Sequence, residues 1–394
     1  MCFYFYKLEV KKMLKWVVLS ISIMLLSPPV INGILPEMRD SLGITQAESE
    51  LITTIPSIAS LIVILLSHLI VKKVGIKKMI FAGLMLVGIG GVLPVVVNHH
   101  LILVLVGRTI LGVGLGLYSP FAIDLINLLF DEHERATLMG YRSVFEQLGQ
   151  SLMAMSVGLL AVFGWNMSFM VYGFAFVLAV LFFVFVPELE APNTDGSKAK
   201  IEEKCQMSPV VYLIVMLAIV VVLNGAAIGI RFPALAAEIR GSGYNSSLFF
   251  VLKPMIGICA GFFFGKLHKA IGRKLLYVGL VCLGVASLLV GFSNGNFVIL
   301  VSGFLLSSLM PAWIFPFIFM LIAKTTDGYS RKLAMSLVLI ALNATVFAMT
   351  PMISVIEMLV GSTALAAPYP VLGGLILTAL LCMMLFGTKL VGHD

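Results

Sequence analysis

Charged side chains are scarce in this sequence. Only 11% of its 394 residues are charged, whereas 60% are hydrophobic and the mean hydropathy is +1.09. Water-soluble domains carry about 25% charged residues, so a water-solvated fold is excluded. The composition predicts a chain whose solvent is the lipid bilayer.

Cysteines, metal-binding patterns and nucleotide-binding motifs are also few or missing. The five cysteines lack the pairing pattern of a secreted disulfide framework, and the six histidines lack the spacing of metal ligands. No glycine-rich loop ends in Lys-Ser or Lys-Thr, so direct use of ATP is not expected. We therefore expect no enzyme activity, no metal and no cofactor.

Basic residues are present in excess, with a net charge of +7. If the N-terminus lies in the cytoplasm, 21 of the 26 Lys and Arg residues fall in cytoplasmic segments, and only Arg39, Arg231 and Arg240 fall outside. This asymmetry is typical of the positive-inside rule, so topology explains the excess and no nucleic-acid partner is expected. It predicts a multi-pass protein of the cell (inner) membrane with both termini cytoplasmic.

Twelve apolar runs are long enough to cross a bilayer as helices, which takes about 20 residues each. The runs lack the alternation of barrel strands, so the expected fold class is all-α membrane with twelve transmembrane helices. The first run has no small-residue cleavage site and is expected to be a retained helix. The expected spans are 14–36, 47–71, 77–97, 101–127, 137–162, 166–186, 209–231, 246–267, 274–293, 297–323, 334–357 and 366–387.

The twelve runs divide into two similar halves of six. Pro36 and Gly75, expected at the end of the first span and in the turn after the second, recur as Pro233 and Gly272 at an offset of 197. Parallel repeats joined by a linker are a transporter architecture. We predict a six-helix bundle over 1–187, a polar cytoplasmic linker over 188–208 and a pseudo-symmetric six-helix bundle over 209–394.

A loop motif lies at the equivalent place in both halves. The segment Gly265-Lys-Leu-His-Lys269-Ala-Ile-Gly272-Arg273-Lys274 resembles the loop motif that follows helices 2 and 8 in the major facilitator superfamily, and a degenerate copy contains Gly75 and Lys77. Both copies have lysine, at positions 72 and 269, where the family usually has aspartate. The family's usual charge relay at this loop is therefore not expected.

Two further segments carry the resemblance. Arg108-Thr-Ile-Leu-Gly112-Val-Gly114 resembles the helix-4 motif of the same superfamily, and Leu35–Ile44 resembles the cyanate and nitroimidazole transporter branch. The resemblance implies a secondary transporter that moves a small-molecule substrate by alternating access. The glycine-proline signature of drug antiporters is not visible in Leu138–Trp165.

Ionised groups at bilayer depth are costly and often functional. Arg108 and Lys253 each lie about seven residues into a span, so either can bind an anionic substrate. The structural alternatives are an arginine that caps carbonyls between helices and a lysine that extends to the membrane surface. Pro254 is expected to kink the helix beside Lys253.

Acidic groups in the spans are candidates for proton coupling or gating. Glu146 lies near mid-membrane, with Arg142 one turn earlier, so it either carries a proton or forms a structural ion pair. Asp124, at the inner end of the fourth span, is expected to act in a gate.

Uncharged polar residues in the spans complete the candidate substrate contacts: Asn32, Tyr118, Asn224 and Asn343. Each can instead be a polar contact between helices. Small-residue faces formed by Gly112 with Gly116, and by Gly257, Gly261 and Gly265, are expected to let helices approach closely.

We therefore expect a secondary active transporter of a small organic solute, with an anion favoured by the embedded cations and with protons as the coupling ion. The alternative within transport is a proton-coupled multidrug efflux antiporter, which Glu146 keeps open. A membrane sensor or scaffold would need a sizeable soluble domain, and the sequence contains none. A monomer in the lipid bilayer is expected.

Overall fold

The computed structural model describes residues 13–188, 209–241, 243–272, 274–326 and 328–390. Arg273 and, beyond Glu188, the predicted linker lie outside the described residues. Within them the chain is helical and contains no strand, which confirms the all-α class.

Fourteen helices follow one another along the described chain, with short 3-10 segments at Ile21–Met24, which forms the end of α1, and at Pro28–Ile34, Ala161–Phe163 and Met167–Gly173. They are α1 (Met13–Met24), α2 (Leu35–Leu42), α3 (Gln46–Val74), α4 (Ile76–Val96), α5 (Leu101–Leu129), α6 (Glu132–Leu160), α7 (Phe174–Phe185), α8 (Pro209–Arg240), α9 (Ser247–Ile271), α10 (Lys274–Gly291), α11 (Phe297–Leu306), α12 (Leu309–Thr325), α13 (Gly328–Val360) and α14 (Pro368–Leu390).

The number of membrane spans follows from helix length and polarity. In the described residues, nine spans are long and apolar enough to cross a bilayer, or ten if Met13–Met24 and Pro28–Leu42, which meet at a 48° bend, form one span. Helix α6 is long enough but more polar than its neighbours, because it carries Glu146, Gln147 and Gln150. The chain is thus a multi-pass membrane protein, and the count of twelve stays a prediction.

The chain divides into two compact units, Met1–Thr194 and Asp195–Asp394. Each unit has a turn with a left-handed glycine after its second long helix, Gly75 with φ 85° and Gly272 with φ 55°. Both glycine N–H groups donate to the carbonyl four residues earlier, at 2.9 and 2.8 Å. A side chain with a Cβ atom rarely adopts this φ, so the repeated loop motif uses its glycines for the same turn.

Two expected helix ends are wrong, and both involve proline. Pro36 lies in the first turn of α2, which runs on to Leu42, and Pro233 lies inside α8, which continues to Arg240. Proline is tolerated in a first turn and, inside a helix, removes one hydrogen bond without always ending it. As a consequence Arg231, expected outside the membrane, is buried in α8 with 3% of its surface exposed.

The small-residue face of α5 brings it against α3. A Cβ atom built on Gly112 would lie 2.4 Å from the Pro56 carbonyl oxygen, and one on Gly116 would lie 2.6 Å from that of Ser60. On the small-residue face of α9, a Cβ atom built on Gly261 or Gly265 would have no atom within 4 Å among the described residues. Close helix approach is therefore found on α5 and not at these two positions of α9.

Replacing Gly112 with alanine is expected to destabilise the protein by about 1–3 kcal/mol, the range for overpacking. The backbone of α3 would have to move away, since the obstructing atoms belong to Pro56 itself. Gly261→Ala is the matched control, and it should leave the melting temperature of the purified protein unchanged or slightly higher. Equal melting temperatures for the two variants would contradict the close contact.

Candidate functional site

Arg108, on α5, is fully buried in the first unit and makes hydrogen bonds to three other segments. Its Nε donates to the Ile52 carbonyl at 2.9 Å, Nη1 to the Tyr172 hydroxyl at 2.8 Å and Nη2 to the Pro28 carbonyl at 2.7 Å. The N–H that would normally bond to Ile52 belongs to residue 56, which is proline. Arg108 thus caps carbonyls that the helix breaks leave exposed, and its geometry favours the structural alternative over an anion site.

Lys253, on α9, is a half-buried cation of the second unit that lies over an aromatic ring. Its ammonium lies 4.6 Å from the centre of the Phe304 ring, and a Cβ atom on Gly229 would lie 3.8 Å from it. Phe304 is itself stacked on Phe232 at 3.9 Å. Among the described residues, no hydrogen bond or ion pair reaches Lys253, so its charge is met by an aromatic face alone.

Arg108 and Lys253 lie at related places in their units. With the 197-residue offset, Lys253 corresponds to Pro56 on α3, and its neighbour Phe304 corresponds to Gly107, next to Arg108. Tyr172 and Tyr369 are also equivalent, and their hydroxyls donate to the carbonyls of Ser27 and Ala227, each at 2.9 Å. Each unit therefore puts one cation between its first, second and fourth predicted spans, but only that of the first unit is saturated by protein acceptors.

A buried ion pair joins α8 to α13 in the second unit. Arg231 Nη1 donates to Glu357 Oε1, and the two side chains are 4% and 17% exposed. The sequence analysis placed Arg231 outside the membrane and did not consider Glu357. Because each charge neutralises the other, the pair explains how two ionised groups are tolerated inside the helix bundle.

A second polar cluster lies between α5 and α6 in the first unit. Arg142 Nη2 is 2.6 Å from Glu146 Oε1, and both side chains are mostly buried. Arg142, which the sequence analysis counted among the cytoplasmic residues, thus lies within α6. The fully buried Tyr118 is in electrostatic range of both. The structure therefore pairs the two proton-coupling candidates Arg142 and Glu146 and puts Tyr118, a candidate substrate contact, within electrostatic range of them.

The other polar candidates make contacts between helices. Thr53 donates to the Asn32 side-chain oxygen at 3.0 Å, and Ser287 donates to that of Asn224 at 2.5 Å. Asn32 and Asn224 are almost completely buried. These contacts support a packing role. Asp124 and Asn343 are half-buried on α5 and α13, and each has interactions of its own.

A second carboxylate that the sequence did not single out, besides Glu357, is buried in the first unit. Glu50, on α3, is fully buried and accepts a hydrogen bond from Gln46 at 3.0 Å, while Arg39 donates to Gln46 at 3.1 Å. An acidic residue inside an expected span was the available signal, but its position near the start of that span made it look like a surface residue.

The loop-motif residues lie at helix ends away from these clusters. Gly265, Lys269 and Lys274 are exposed, and Lys77 lies 4.8 Å from the centre of the Phe183 ring. These positions suit a turn and its charges better than a substrate contact.

Comparison with known proteins identifies the family. The model of the Major Facilitator Superfamily matches residues 17–281. The chain belongs to this superfamily. The resemblance of the loop and helix-4 motifs is thereby confirmed at the level of the superfamily, and the chain is a transporter and not an enzyme.

Transporters with known structures share the fold of this chain. A POT family transporter in complex with 5-aminolevulinic acid has a TM-score of 0.77 at 12% identity, with 96% of each chain covered. A D-xylose-proton symporter has a TM-score of 0.72 at 17% identity, with 96% of this chain and 98% of the symporter covered. At these identities the likeness shows the fold alone.

A curated superfamily relative is similar over part of the sequence. The bacillibactin exporter of Bacillus subtilis (strain 168) is 26% identical over 153 residues, which is 37% of this chain and 38% of the exporter. Together with the family match, this supports a secondary transporter.

Proposed function

We propose that this protein moves a small organic anion across the membrane by alternating access, coupled to protons. The observation that carries the proposal is the state of Lys253. Of the four basic residues well inside the described helices, Arg108 is saturated by hydrogen bonds, while Arg142 and Arg231 have carboxylate partners. Lys253 has no anionic partner among the described residues.

The surroundings of Lys253 leave a charge to be compensated. An ammonium at bilayer depth costs a few kcal/mol on insertion scales. A cation over an aromatic ring recovers about 0.5–2 kcal/mol, and the Phe304 ring lies 4.6 Å away. A carboxylate or similar group of a substrate would supply the missing negative charge and a charge-assisted hydrogen bond.

Proton coupling is supported by a carboxylate inside a helix of the first unit. Glu146 lies in α6, mostly buried beside Arg142. Such groups in membrane spans commonly bind protons during transport. Burial alone does not distinguish Glu146, because Glu50 and Glu357 are also largely buried. We propose Glu146 as the proton carrier because it lies in the cluster with Tyr118.

A second candidate function is proton-coupled efflux of lipophilic compounds. The similarity to an exporter favours it, since that relative's name describes export. The same fold serves both directions, and an imposed pH gradient across proteoliposomes separates them. Uptake driven by an acidic outside supports symport, and release of internal substrate driven by it supports antiport.

The substrate class is tested by thermal-shift measurements on the purified protein with organic anions, sugars and cationic dyes. A ligand at 100 times its dissociation constant stabilises the folded state by about 2.7 kcal/mol, so stabilisation by carboxylates is expected. Choline serves as the cationic control, and methylated sugars of similar size serve as the uncharged control. Stabilisation by cationic dyes alone would contradict the anion proposal and favour efflux of cationic drugs.

A further inference from the structure

The ammonium group of Lys253 lies beside a rigid group of uncharged rings. Phe304, the ring under the ammonium, is fully buried. It is stacked on Phe232 at 3.9 Å and meets the edge of Phe250 at 5.1 Å between ring centres. Phenylalanine has no formal charge and no hydrogen-bond donor. An anion that binds here therefore depends on the ammonium for its polar contact.

The surroundings also limit how much negative charge can be bound. Arg231 is the charged residue of α8 that lies closest in sequence to Gly229, which is beside the ammonium, and its charge is neutralised by Glu357. Lys253 then contributes a single positive charge. A monovalent anion would make the site neutral, whereas a divalent anion would leave one negative charge without a counter-ion. Because unpaired charges are costly at bilayer depth, the site is matched to one carboxylate.

The part of α8 that a substrate could reach beside Lys253 is formed by small residues. Between positions 221 and 237, Ala226 and Gly229 are partly exposed and the other residues are buried. A Cβ atom built on Gly229 would lie 3.8 Å from Lys253 Nζ, with no other atom of a neighbouring helix within 4 Å among the described residues. The helix surface beside the ammonium is therefore open.

The spacing of these two residues indicates what kind of substrate fits. Residues three apart on a helix have Cβ positions about 5–6 Å from each other, a distance that a phenyl ring or a short alkyl chain spans. A substrate whose carboxylate meets the ammonium beside Gly229 can thus place its body over Ala226. An apolar body gains from leaving water there, whereas a polar body would lose hydrogen bonds that a methyl group does not replace.

We propose that the substrate is a monocarboxylate with an apolar aliphatic or aromatic body, whose carboxylate binds Lys253 and whose body lies on Ala226 and Gly229. No covalent bond of the substrate changes. The inference deepens the proposed function and rests on it, because it names the class of anion that Lys253 binds. Dicarboxylates, phosphate esters and sugar acids are excluded by their charge or by their polar bodies.

The charge is tested with three compounds that share a phenyl body: phenylacetate, phenylmalonate and phenylacetamide. Their dissociation constants are measured at neutral pH on the purified full-length protein. Phenylacetate should bind at least about tenfold more tightly than phenylmalonate, which adds a second carboxylate, and than phenylacetamide, which has no charge. In Lys253→Ala the preference for phenylacetate over phenylacetamide should be lost, because the positive charge that distinguishes them is gone.

The body is tested with acetate, butanoate and hexanoate, for which the affinity should rise about fourfold with each methylene group that is buried. Ala226→Leu should weaken binding of hexanoate and phenylacetate at least about tenfold but that of acetate less than about twofold, because leucine covers the place of the body and leaves the ammonium accessible. Retained acetate binding also shows that the variant is folded.

The matched control is Gly261→Leu, at a position of α9 where a Cβ atom has no atom within 4 Å among the described residues. It lies eight residues from Lys253 in the sequence, or about 12 Å along the helix, and should bind the three alkanoates like the unsubstituted protein.

Two sets of results separate this inference from the proposed function. If anion binding depends on Lys253 but phenylmalonate binds as tightly as phenylacetate, or hexanoate binds no more tightly than acetate, this inference is overturned and the proposed function stands. If none of the anions binds, or if Lys253→Ala binds them as tightly as the unsubstituted protein, the proposed function fails as well.

Discussion

Lys253→Ala is expected to weaken binding of the transported anion by about 30-fold to 1,000-fold. Removing one member of a buried charge pair costs about 2–4 kcal/mol, and each 1.4 kcal/mol is a factor of ten in affinity. The variant should fold normally, because Lys253 makes no hydrogen bond or ion pair that its loss would break within the described residues. Its melting temperature without ligand should be equal to or above that of the unsubstituted protein, since an uncompensated charge has been removed.

Two further variants serve as controls for Lys253→Ala. Lys253→Arg keeps the positive charge and should retain part of the binding. Arg240→Ala removes another cation of the same unit that lies over a ring, 4.5 Å from the centre of Phe297, and should leave binding unchanged. Normal anion transport by Lys253→Ala, in a protein that inserts and purifies normally, would remove Lys253 from the site and with it the main support for an anionic substrate.

The fold was largely predictable because lipid imposes long apolar runs. Run length and the repeat of Pro36–Gly75 in Pro233–Gly272 were enough to predict an all-α membrane protein with two similar halves, and the loop and helix-4 motifs predicted the superfamily. Helix ends were harder, because a proline was taken to end a helix. In α8 the apolar sequence continues beyond Pro233 to Arg240. Packing keeps this segment helical although proline disfavours a helix interior.

From the sequence, the candidate site was predictable only as a set of charged and polar residues that are costly to place in a membrane. Sequence alone places Arg108 and Lys253 at similar depth and cannot distinguish them, because the difference lies in partners from distant segments. Arg108 meets acceptors 56, 64 and 80 residues away, whereas Lys253 meets an aromatic ring. The pair of Arg231 with Glu357 was missed for the same reason, since its members are 126 residues apart.

Arg108 connects segments whose buried carbonyls would otherwise lack a hydrogen-bond donor. Pro28 and Ser27 lie at the break between α1 and α2, and Ile52 lies one turn before Pro56. Tyr172 extends the network, since it accepts from Arg108 and donates to the Ser27 carbonyl at 2.9 Å. A break in a membrane helix is tolerated when neighbouring groups satisfy the freed backbone, and here one guanidinium provides much of that satisfaction.

Arg108→Lys is therefore expected to prevent normal folding of the first unit although it keeps the charge. Hydrogen bonds from charged donors contribute about 1.5–3 kcal/mol each, and an ammonium has no planar fork to reach three separate acceptors. Losing two of the three would cost about 3–6 kcal/mol, a large part of a folding free energy of about 5–15 kcal/mol. The measurements are the yield of monodisperse protein and its melting temperature. Tyr172→Phe should give an intermediate loss of about 1–3 kcal/mol.

Arg39→Lys is the control for the same substitution at a partly exposed arginine, which bonds to Asp40 and Gln46, and it should change the melting temperature by less than the error of the measurement. A structural role and an anion-binding role for Arg108 predict opposite results. If Arg108→Lys is as stable as the unsubstituted protein but loses anion binding, Arg108 belongs to the substrate site, as its depth in the sequence suggested. The structural role predicts that stability falls and that the residual protein still binds the anion in a Lys253-dependent manner. That result would mean that Arg108 stabilises the first unit and that Lys253 binds the substrate.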